Sequence, residues 1–159
     1  MRKVFLLIVS AVTAFTSNAC GKKEDSNLQE QTKDSLEQKL IGKWKHLFVI
    51  ALDANNNELK KENEECHYYE FLENGKANLI DYYNSKAECV ETKENETKTS
   101  IFWTVKGNDI SINFDDDHKM PFTIVNLKEN LLEIERPIHP SEIDDYPSKT
   151  TKIRWFFQK

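Results

Sequence analysis

Apolar and polar residues alternate along much of the chain after residue 40, a pattern typical of β-strands with one buried face. The clearest example is the pair of segments 99–105 and 109–114, which flank Lys106-Gly107-Asn108. The alternation directs six of their residues to one face: Ile101, Trp103, Val105, Ile110, Ile112 and Phe114. These two segments therefore predict a β-hairpin that turns at the glycine.

Further segments of the same kind extend the pattern over the rest of the chain. The predicted strands cover residues 40–50, 66–72, 76–83, 99–105, 109–114, 119–127, 131–136 and 150–158. Short turns alternate with long polar stretches, which lie at residues 53–65, 84–98, 115–118 and 137–149. An antiparallel sheet of about eight strands closes with room for side chains or one small ligand. The sequence predicts an all-β fold, an eight-stranded antiparallel up-and-down barrel, with its long loops at one end.

The turn at residues 73–75 allows two hairpin registers. A two-residue loop would place Phe71 opposite Asn78 and mix polarity on both faces of the hairpin. A three-residue loop with a left-handed Gly75 places Phe71 opposite Ala77 instead. We expect the second register, because the buried face must be consistently apolar.

The first 19 residues have the layout of a secretory signal peptide. Arg2 and Lys3 precede an apolar run at 4–12, and the small residues 17–19 follow it. Residues 20–38 are rich in charged and polar side chains and predict a flexible tether. Residues 39–159 remain as one domain, large enough for a single core.

Residues 17–21, Ser-Asn-Ala-Cys-Gly, resemble the lipobox of bacterial lipoproteins, although Ser17 stands where a larger aliphatic residue is common. The resemblance implies that Cys20 is lipidated and becomes the mature N-terminus, anchored in a membrane by its acyl chains. Lys23-Glu24-Asp25 is similar to a surface-export signal, and an ordinary solvated tether accounts for it equally well. We therefore expect an outer-membrane lipoprotein, on the periplasmic side or at the cell surface.

Charge and cysteine content narrow the classes of partner. Loss of Arg2 and Lys3 with the leader changes the formal net charge from -5 to -7, which disfavours nucleic acid as a partner.

Cys66 and Cys89 remain once Cys20 carries lipid. An even pair in an oxidising compartment predicts a disulfide, whereas a metal site would need more ligands at closer spacing.

Several motifs, in their order and spacing, resemble the bacterial lipocalin-like domain family of small envelope lipoproteins. They are Gly42-x-Trp44, Phe71 with Asn74-Gly75, the hairpin at 103–110, the segment 127–132 and the aromatic final strand. The resemblance implies a lipocalin-like barrel over 39–159 that is able to hold apolar ligands. In lipocalins an arginine of the last strand packs over the tryptophan of the Gly-x-Trp motif. Arg154 or Lys152 would take that place here.

No catalytic residue, metal or cofactor is predicted. His46 and His67 are interpreted as packing residues, and residues 115–118 as a solvated turn. His139, with Glu142 and two aspartates nearby, is interpreted as part of a solvated loop. The candidate ligand-lining residues are inward aromatics, which line a site only if a cavity remains between them: Phe48, Tyr69, Trp103, Phe122 and Trp155.

These patterns are compatible with two functions. The leading interpretation is a lipid-anchored, non-enzymatic protein that binds a small apolar or amphipathic molecule at the long-loop end. The alternative is a protein-interaction or envelope-assembly subunit whose barrel is filled with side chains.

The lipobox resemblance predicts that Cys20 carries acyl chains. Metabolic labelling with a tagged fatty acid should mark the wild-type protein, and Cys20→Ala should remove the label. Equal labelling of the two proteins would contradict the assignment.

Overall fold

The computed structural model describes residues 36–115 and 118–159. Residues 36–40 are helical and lead directly into the first strand. The strands are β1 Gly42–Leu52, β2 Glu58–Asn63, β3 His67–Phe71, β4 Lys76–Tyr82, β5 Glu96–Lys106, β6 Asp109–Asn113, β7 Lys119–Leu127, β8 Leu131–Pro137 and β9 Lys152–Gln158. Three short 3-10 helices span Glu73–Gly75, Lys93–Asn95 and Pro140–Asp145. In these two ranges no helix is long and apolar enough to span a bilayer.

The sheet is closed by its first strand. All neighbouring strands are antiparallel, and β1 pairs with β9 over Lys45–Leu52. On its other edge, β1 pairs with β3 over Gly42–Lys45. The ring β1-β3-β4-β5-β6-β7-β8-β9 confirms the predicted eight-stranded up-and-down barrel.

The segment predicted as the long loop 53–65 contains an additional strand, so that prediction was wrong for residues 58–63. β2 pairs with residues 48–52 of β1, on the same edge of β1 on which β3 pairs with residues 42–45. Its sequence, Glu-Leu-Lys-Lys-Glu-Asn, has a single apolar residue, because no face of β2 is packed into the core. Hydrophobic alternation therefore could not reveal it.

A β-bulge at Leu47 changes the face on which the later residues of β1 lie. His46 pairs with Phe157, but the next paired residue is Phe48, opposite Phe156. Because side chains alternate with a period of two, one inserted residue moves Phe48 to the outer face. There its ring stacks on Phe156 at 4.5 Å between centroids. The predicted inward orientation of Phe48 was therefore wrong.

The β3–β4 hairpin adopts the three-residue turn. Phe71 pairs with Ala77, as the face pattern predicted. Asn74 and Gly75 have positive φ angles of 61° and 71°. A Cβ atom at Gly75 would lie 2.9 Å from the carbonyl oxygen of Trp103, so the turn requires glycine both for its conformation and for this approach.

The tight-turn end of the barrel is closed by the helical segment 36–40. Leu40 is fully buried there, and Trp44 donates a hydrogen bond from Nε1 to the Leu40 carbonyl at 2.6 Å. The cation above the Trp44 ring is Lys159, whose Nζ lies 4.7 Å from the ring centroid. Arg154 and Lys152 do not take this place, because both bind Glu135.

Cys66 and Cys89 form a disulfide with a Cα–Cα distance of 5.7 Å, as predicted. After β4, the chain turns back sharply, and Tyr83 and Cys89 form an isolated antiparallel bridge. Cys66 is fully buried on the outer face with Tyr68, Ile80 and Tyr82. The loop after β4 therefore leaves the sheet and returns toward Cys66.

The disulfide should stabilise the barrel by constraining the unfolded chain. It joins residues 23 positions apart, for which loop-closure entropy predicts about 3 kcal/mol. The double variant Cys66→Ser/Cys89→Ser should therefore lose about 3 kcal/mol of unfolding free energy in urea titrations. Wild-type stability in the double variant would contradict this expectation.

Candidate functional site

The barrel interior is filled by stacked and edge-on rings. His46 stacks on Phe157 at 4.6 Å, and Trp155 lies 5.0 Å from His46. Phe122 contacts Trp155 at 4.7 Å, and Tyr69 meets Phe157 edge-on at 5.5 Å. The structure therefore brings together three of the predicted lining residues, Tyr69, Phe122 and Trp155, as packed core.

Trp103 belongs to the opposite end of the barrel. Its ring contacts Phe71 at 5.2 Å. Its Nε1 donates to the carbonyl oxygens of Leu72 and Lys76, at 3.0 and 2.9 Å, and so fixes the turn that follows β3. Trp103 therefore serves chiefly to lock the closed end.

His46 is an unusual member of the interior. It is 5% exposed, and its Nε2 has no hydrogen-bond partner among the described residues. Burial, assisted by the nearby His67, lowers the pKa of His46 to about 3. The imidazole is therefore neutral in the folded barrel at physiological pH.

Arg136 is the second buried polar residue of the interior. The alternation Leu132, Ile134, Arg136 along β8 directs all three side chains inward. Arg136 is 6% exposed, and its guanidinium binds both carboxylate oxygens of Glu142, with Nη1 2.8 Å from Oε2. This bond lowers the pKa of Glu142, so the pair is ionised. Within the described part of the chain, the Nε of Arg136 is buried without a hydrogen-bond partner.

A cavity of about 560 Å³ adjoins this ion pair at the long-loop end. The start of β7, the end of β8 and the following loop line it, and it is open to solvent. Its wall is largely apolar, and its lining includes Met120, Pro121, Arg136, Ile138, Pro140 and Glu142. Because a guanidinium and an apolar wall meet there, the cavity suits a molecule with an anionic group and an apolar body.

The 3-10 helix Pro140–Asp145 forms a cap over this cavity. His139 accepts a hydrogen bond from the Ser141 amide, and Glu142 accepts one from the His139 amide at 3.0 Å. The cap also contacts β2, because Lys60 of β2 donates a hydrogen bond to the carbonyl oxygen of Asp145 at 3.3 Å. Glu142 thus links the conformation of the cap to Arg136.

A second cavity of about 540 Å³ lies at the tight-turn end, between the helical segment 36–40 and the turn at Gly75. Glu37, Gln38, Glu73 and Asn74 make its lining more polar than that of the first cavity. It lies beside the point where the tether joins the barrel. This position makes it the less suitable of the two sites for a ligand.

Sequence reasoning missed Arg136, although its position carries a signal. A charged residue at the third inward place of an otherwise apolar alternation is a buried charge, which requires a partner. His139 and Glu142 were interpreted as solvated, but in the structure they build the cap. His118 pairs with Asp115 at 2.7 Å, in agreement with a surface turn.

The closed eight-stranded antiparallel barrel, with its first strand paired to its last, defines the class of fold as an up-and-down β-barrel. The model of the lipocalin-like domain family matches residues 40–134, which is more than half of the chain. The protein belongs to the lipocalin-like domain family.

Solved structures with detectable similarity are distant. A lipocalin-like protein from Bacteroides uniformis is 17% identical, with 76% of this chain and 98% of that chain covered and a TM-score of 0.49. An uncharacterized protein from Bacteroides eggerthii is 12% identical, with coverages of 75% and 98% and a TM-score of 0.49. Lobster apocrustacyanin A1 is 13% identical, with coverages of 85% and 68% and a TM-score of 0.47. No functionally curated protein matches the chain.

Burial of neutral His46 should make the barrel sensitive to acid. The pKa of His46 is about 3 in the folded state, below its ordinary 6.5. As pH falls below 6.5, the unfolded chain binds a proton that the folded barrel excludes, and stability declines until about pH 3. The linkage between proton binding and unfolding predicts that His46 alone lowers the free energy of unfolding by about 2 kcal/mol between about pH 7 and pH 5.

Urea titrations at several pH values test this expectation. In His46→Phe, the unfolding free energy should fall by about 2 kcal/mol less between about pH 7 and pH 5, because the replacement ring does not titrate. An unchanged slope in His46→Phe would show that other groups cause the acid sensitivity.

Proposed function

We propose that this protein is a lipid-anchored, non-enzymatic envelope protein that binds a small amphipathic molecule with an anionic group at the long-loop end of its barrel. The observation that carries the proposal is the apolar cavity of about 560 Å³ that has Arg136 in its lining. Ligand sites in proteins typically combine such an apolar wall with a few polar groups that fix orientation.

Arg136 supplies the recognition of the anionic group. Its planar guanidinium presents a pair of donors that matches a carboxylate or a phosphate, and such bonds are strong in a poorly hydrated site. In the described structure, Glu142 occupies these donors. An incoming anion would replace the Glu142 carboxylate, and Glu142 would move outward with the cap.

The packed interior limits how deep the ligand reaches. Phe122 lies below Arg136, with the guanidinium carbon 5.8 Å from its ring centroid. Trp155 and His46 continue the packed column toward the closed end. The apolar body of the ligand therefore lies against Met120, Pro121 and Ile138 rather than along the barrel axis.

The placement of the tether supports an orientation for the site. Cys20 lies outside the described residues, but the chain enters the barrel through residues 36–40 at the tight-turn end. With Cys20 lipidated in the outer membrane, the long-loop end would point away from the bilayer, toward the periplasm or the medium. A ligand or a partner could then reach the cavity without crossing the lipid surface.

The filled interior favours a second candidate function, a protein-interaction or envelope-assembly subunit. Buried rings occupy the interior where a carrier of large ligands would have a deep cavity. In this alternative, the cap and the neighbouring loops form the contact surface, and the Arg136–Glu142 pair serves only to hold the cap in place.

A binding assay with a fluorescent fatty acid distinguishes the two functions. Arg136→Met/Glu142→Leu removes both charges together, which avoids leaving one buried and unpaired. It should weaken binding about 10- to 100-fold, the equivalent of one charge-assisted hydrogen-bond pair. A fatty alcohol of the same length should bind the double variant and the wild type equally.

Lys106→Glu at the tight-turn end is the control for a general charge effect and should bind the fatty acid normally. Failure of the wild type to bind either amphiphile would reject the ligand-binding function and leave the assembly function. Equal affinity of the wild type and the double variant for the fatty acid would reject Arg136 as its recognition group.

A further inference from the structure

Four side chains with metal-ligating or orienting chemistry meet at the rim of the barrel, apart from the Arg136 cavity. His67 begins β3 and pairs with Asp81 of β4, and both residues have the strand parity of the inward-facing Tyr69 and Leu79. Glu64 lies in the break between β2 and β3, and Tyr83 follows β4 directly. The break and the end of β4 therefore place these groups together.

The potential ligand atoms converge on Nε2 of His67. The Oε2 atom of Glu64 lies 3.6 Å from this nitrogen, and the phenolic oxygen of Tyr83 lies 3.1 Å from it. Two ligands that are each about 2.0–2.1 Å from a tetrahedral zinc ion are separated by about 3.3–3.4 Å. Both observed separations are close to this value, so an ion bound to His67 Nε2 could reach either oxygen with small shifts of the side chains.

The contacts of His67 place its Nε2 beside two oxygen atoms. The Tyr83 hydroxyl lies near two acceptors, the Glu65 carbonyl at 2.8 Å and His67 Nε2 at 3.1 Å. His67 Nδ1 is paired with Asp81, which leaves Nε2 to face a ligand. Glu64 adds a carboxylate to the same place, so a metal cation there would meet a negative charge as well as the ring nitrogen.

Asp81 orients His67 in the way that metal-bound histidines require. Its Oδ1 lies 2.6 Å from Nδ1, which fixes the tautomer and leaves Nε2 as the ligand atom. A histidine bound to metal through one nitrogen almost always donates the other N–H to a carboxylate, carbonyl or water. The role of Asp81 is therefore positioning rather than coordination.

The backbone around the cluster is fixed before any ion binds. Glu64 donates its amide hydrogen to the carbonyl of Leu47, the bulged residue of β1, at 2.9 Å. Between Glu64 and His67, Cys66 is held by the disulfide and accepts a hydrogen bond from the Tyr82 amide at 3.2 Å. The bulge and the disulfide together restrict the segment, so little ordering is needed on binding.

The charges of the surrounding carboxylates also favour a cation. Asp81 lies 2.6 Å from Nδ1 of His67, and Glu64 lies 3.6 Å from its Nε2. These carboxylates add to the negative charge of a chain that is acidic overall.

We propose that Glu64, His67 and Tyr83 form a binding site for a divalent transition metal ion, with zinc as the best match to its nitrogen and oxygen donors, and that Asp81 positions His67. The site lies on the rim of the barrel and is independent of the amphiphile-binding function proposed for the Arg136 cavity. Water would supply the fourth ligand.

Isothermal titration of the untagged, disulfide-intact protein with zinc chloride tests the proposal. Reductant must be omitted, because free Cys66 and Cys89 thiols would themselves bind zinc. The wild type should bind one zinc ion, and His67→Ala should abolish this binding while keeping the wild-type melting temperature without metal to within a few degrees. Asp81→Asn should weaken binding about 10- to 100-fold, the range typical for the loss of an orienting partner.

His118→Ala provides a matched control, since His118 is also a surface histidine beside an aspartate. It should leave the stoichiometry and the affinity unchanged. A zinc-dependent shift of the His67 ring resonances in long-range ¹H–¹⁵N spectra would identify the ligand atom even if a variant folds poorly. Zinc binding that survives His67→Ala, or no shift of His67 on titration of the wild type, would overturn the proposal.

Discussion

The pairing of β1 with strands on both of its edges is the constraint on which the rest of the structure depends. β9 follows one edge of β1 from Lys45 to Leu52, while β3 and then β2 follow the other. This arrangement satisfies the backbone hydrogen bonds of the strand and joins the beginning of the folded chain to its end. The bulge at Leu47 lies within this pairing. It sets which residues of β1 face inward, and its carbonyl oxygen holds Glu64 at the rim.

Two buried polar groups depart from an otherwise apolar interior, and both have energetic consequences. The imidazole of His46 lies among aromatic rings, and its Nε2 has no hydrogen-bond partner within residues 36–115 and 118–159. The guanidinium of Arg136 is compensated by Glu142, but only through a surface loop. Apolar residues of similar volume would commonly be neutral or stabilising at such positions. A buried charge whose partner lies on a surface loop is consistent with the proposed recognition of an anionic group at that end of the barrel.

The sequence predicted the parts of the fold that depend on hydrophobic alternation, on turn residues or on paired cysteines. The β5–β6 hairpin, the turn at Gly75 and the disulfide were all predictable, because each depends on residues with strong local preferences or on cysteine chemistry. The orientation of Phe48 was not predictable, since nothing in the sequence marks Leu47 as a bulge. The cation above Trp44 was assigned to Arg154 or Lys152 by resemblance, but the register of β9 places Lys159 there. The cavity at Arg136 was missed because it depends on a loop whose proline and acidic residues indicated only solvent exposure.

The position of β2 at the edge of the sheet affects whether separate copies of the protein can aggregate. In the part of the chain that the structure describes, β2 stands at the end of the strand order and pairs only with β1. An unpaired strand edge can recruit a strand from another molecule, and charged side chains are a common protection against this. β2 carries two lysines and two glutamates among six residues, and Lys60 and Glu62 form an ion pair along it. These charges explain why hydrophobic alternation did not predict β2. They also make β2 a poor template for aggregation between copies of the protein.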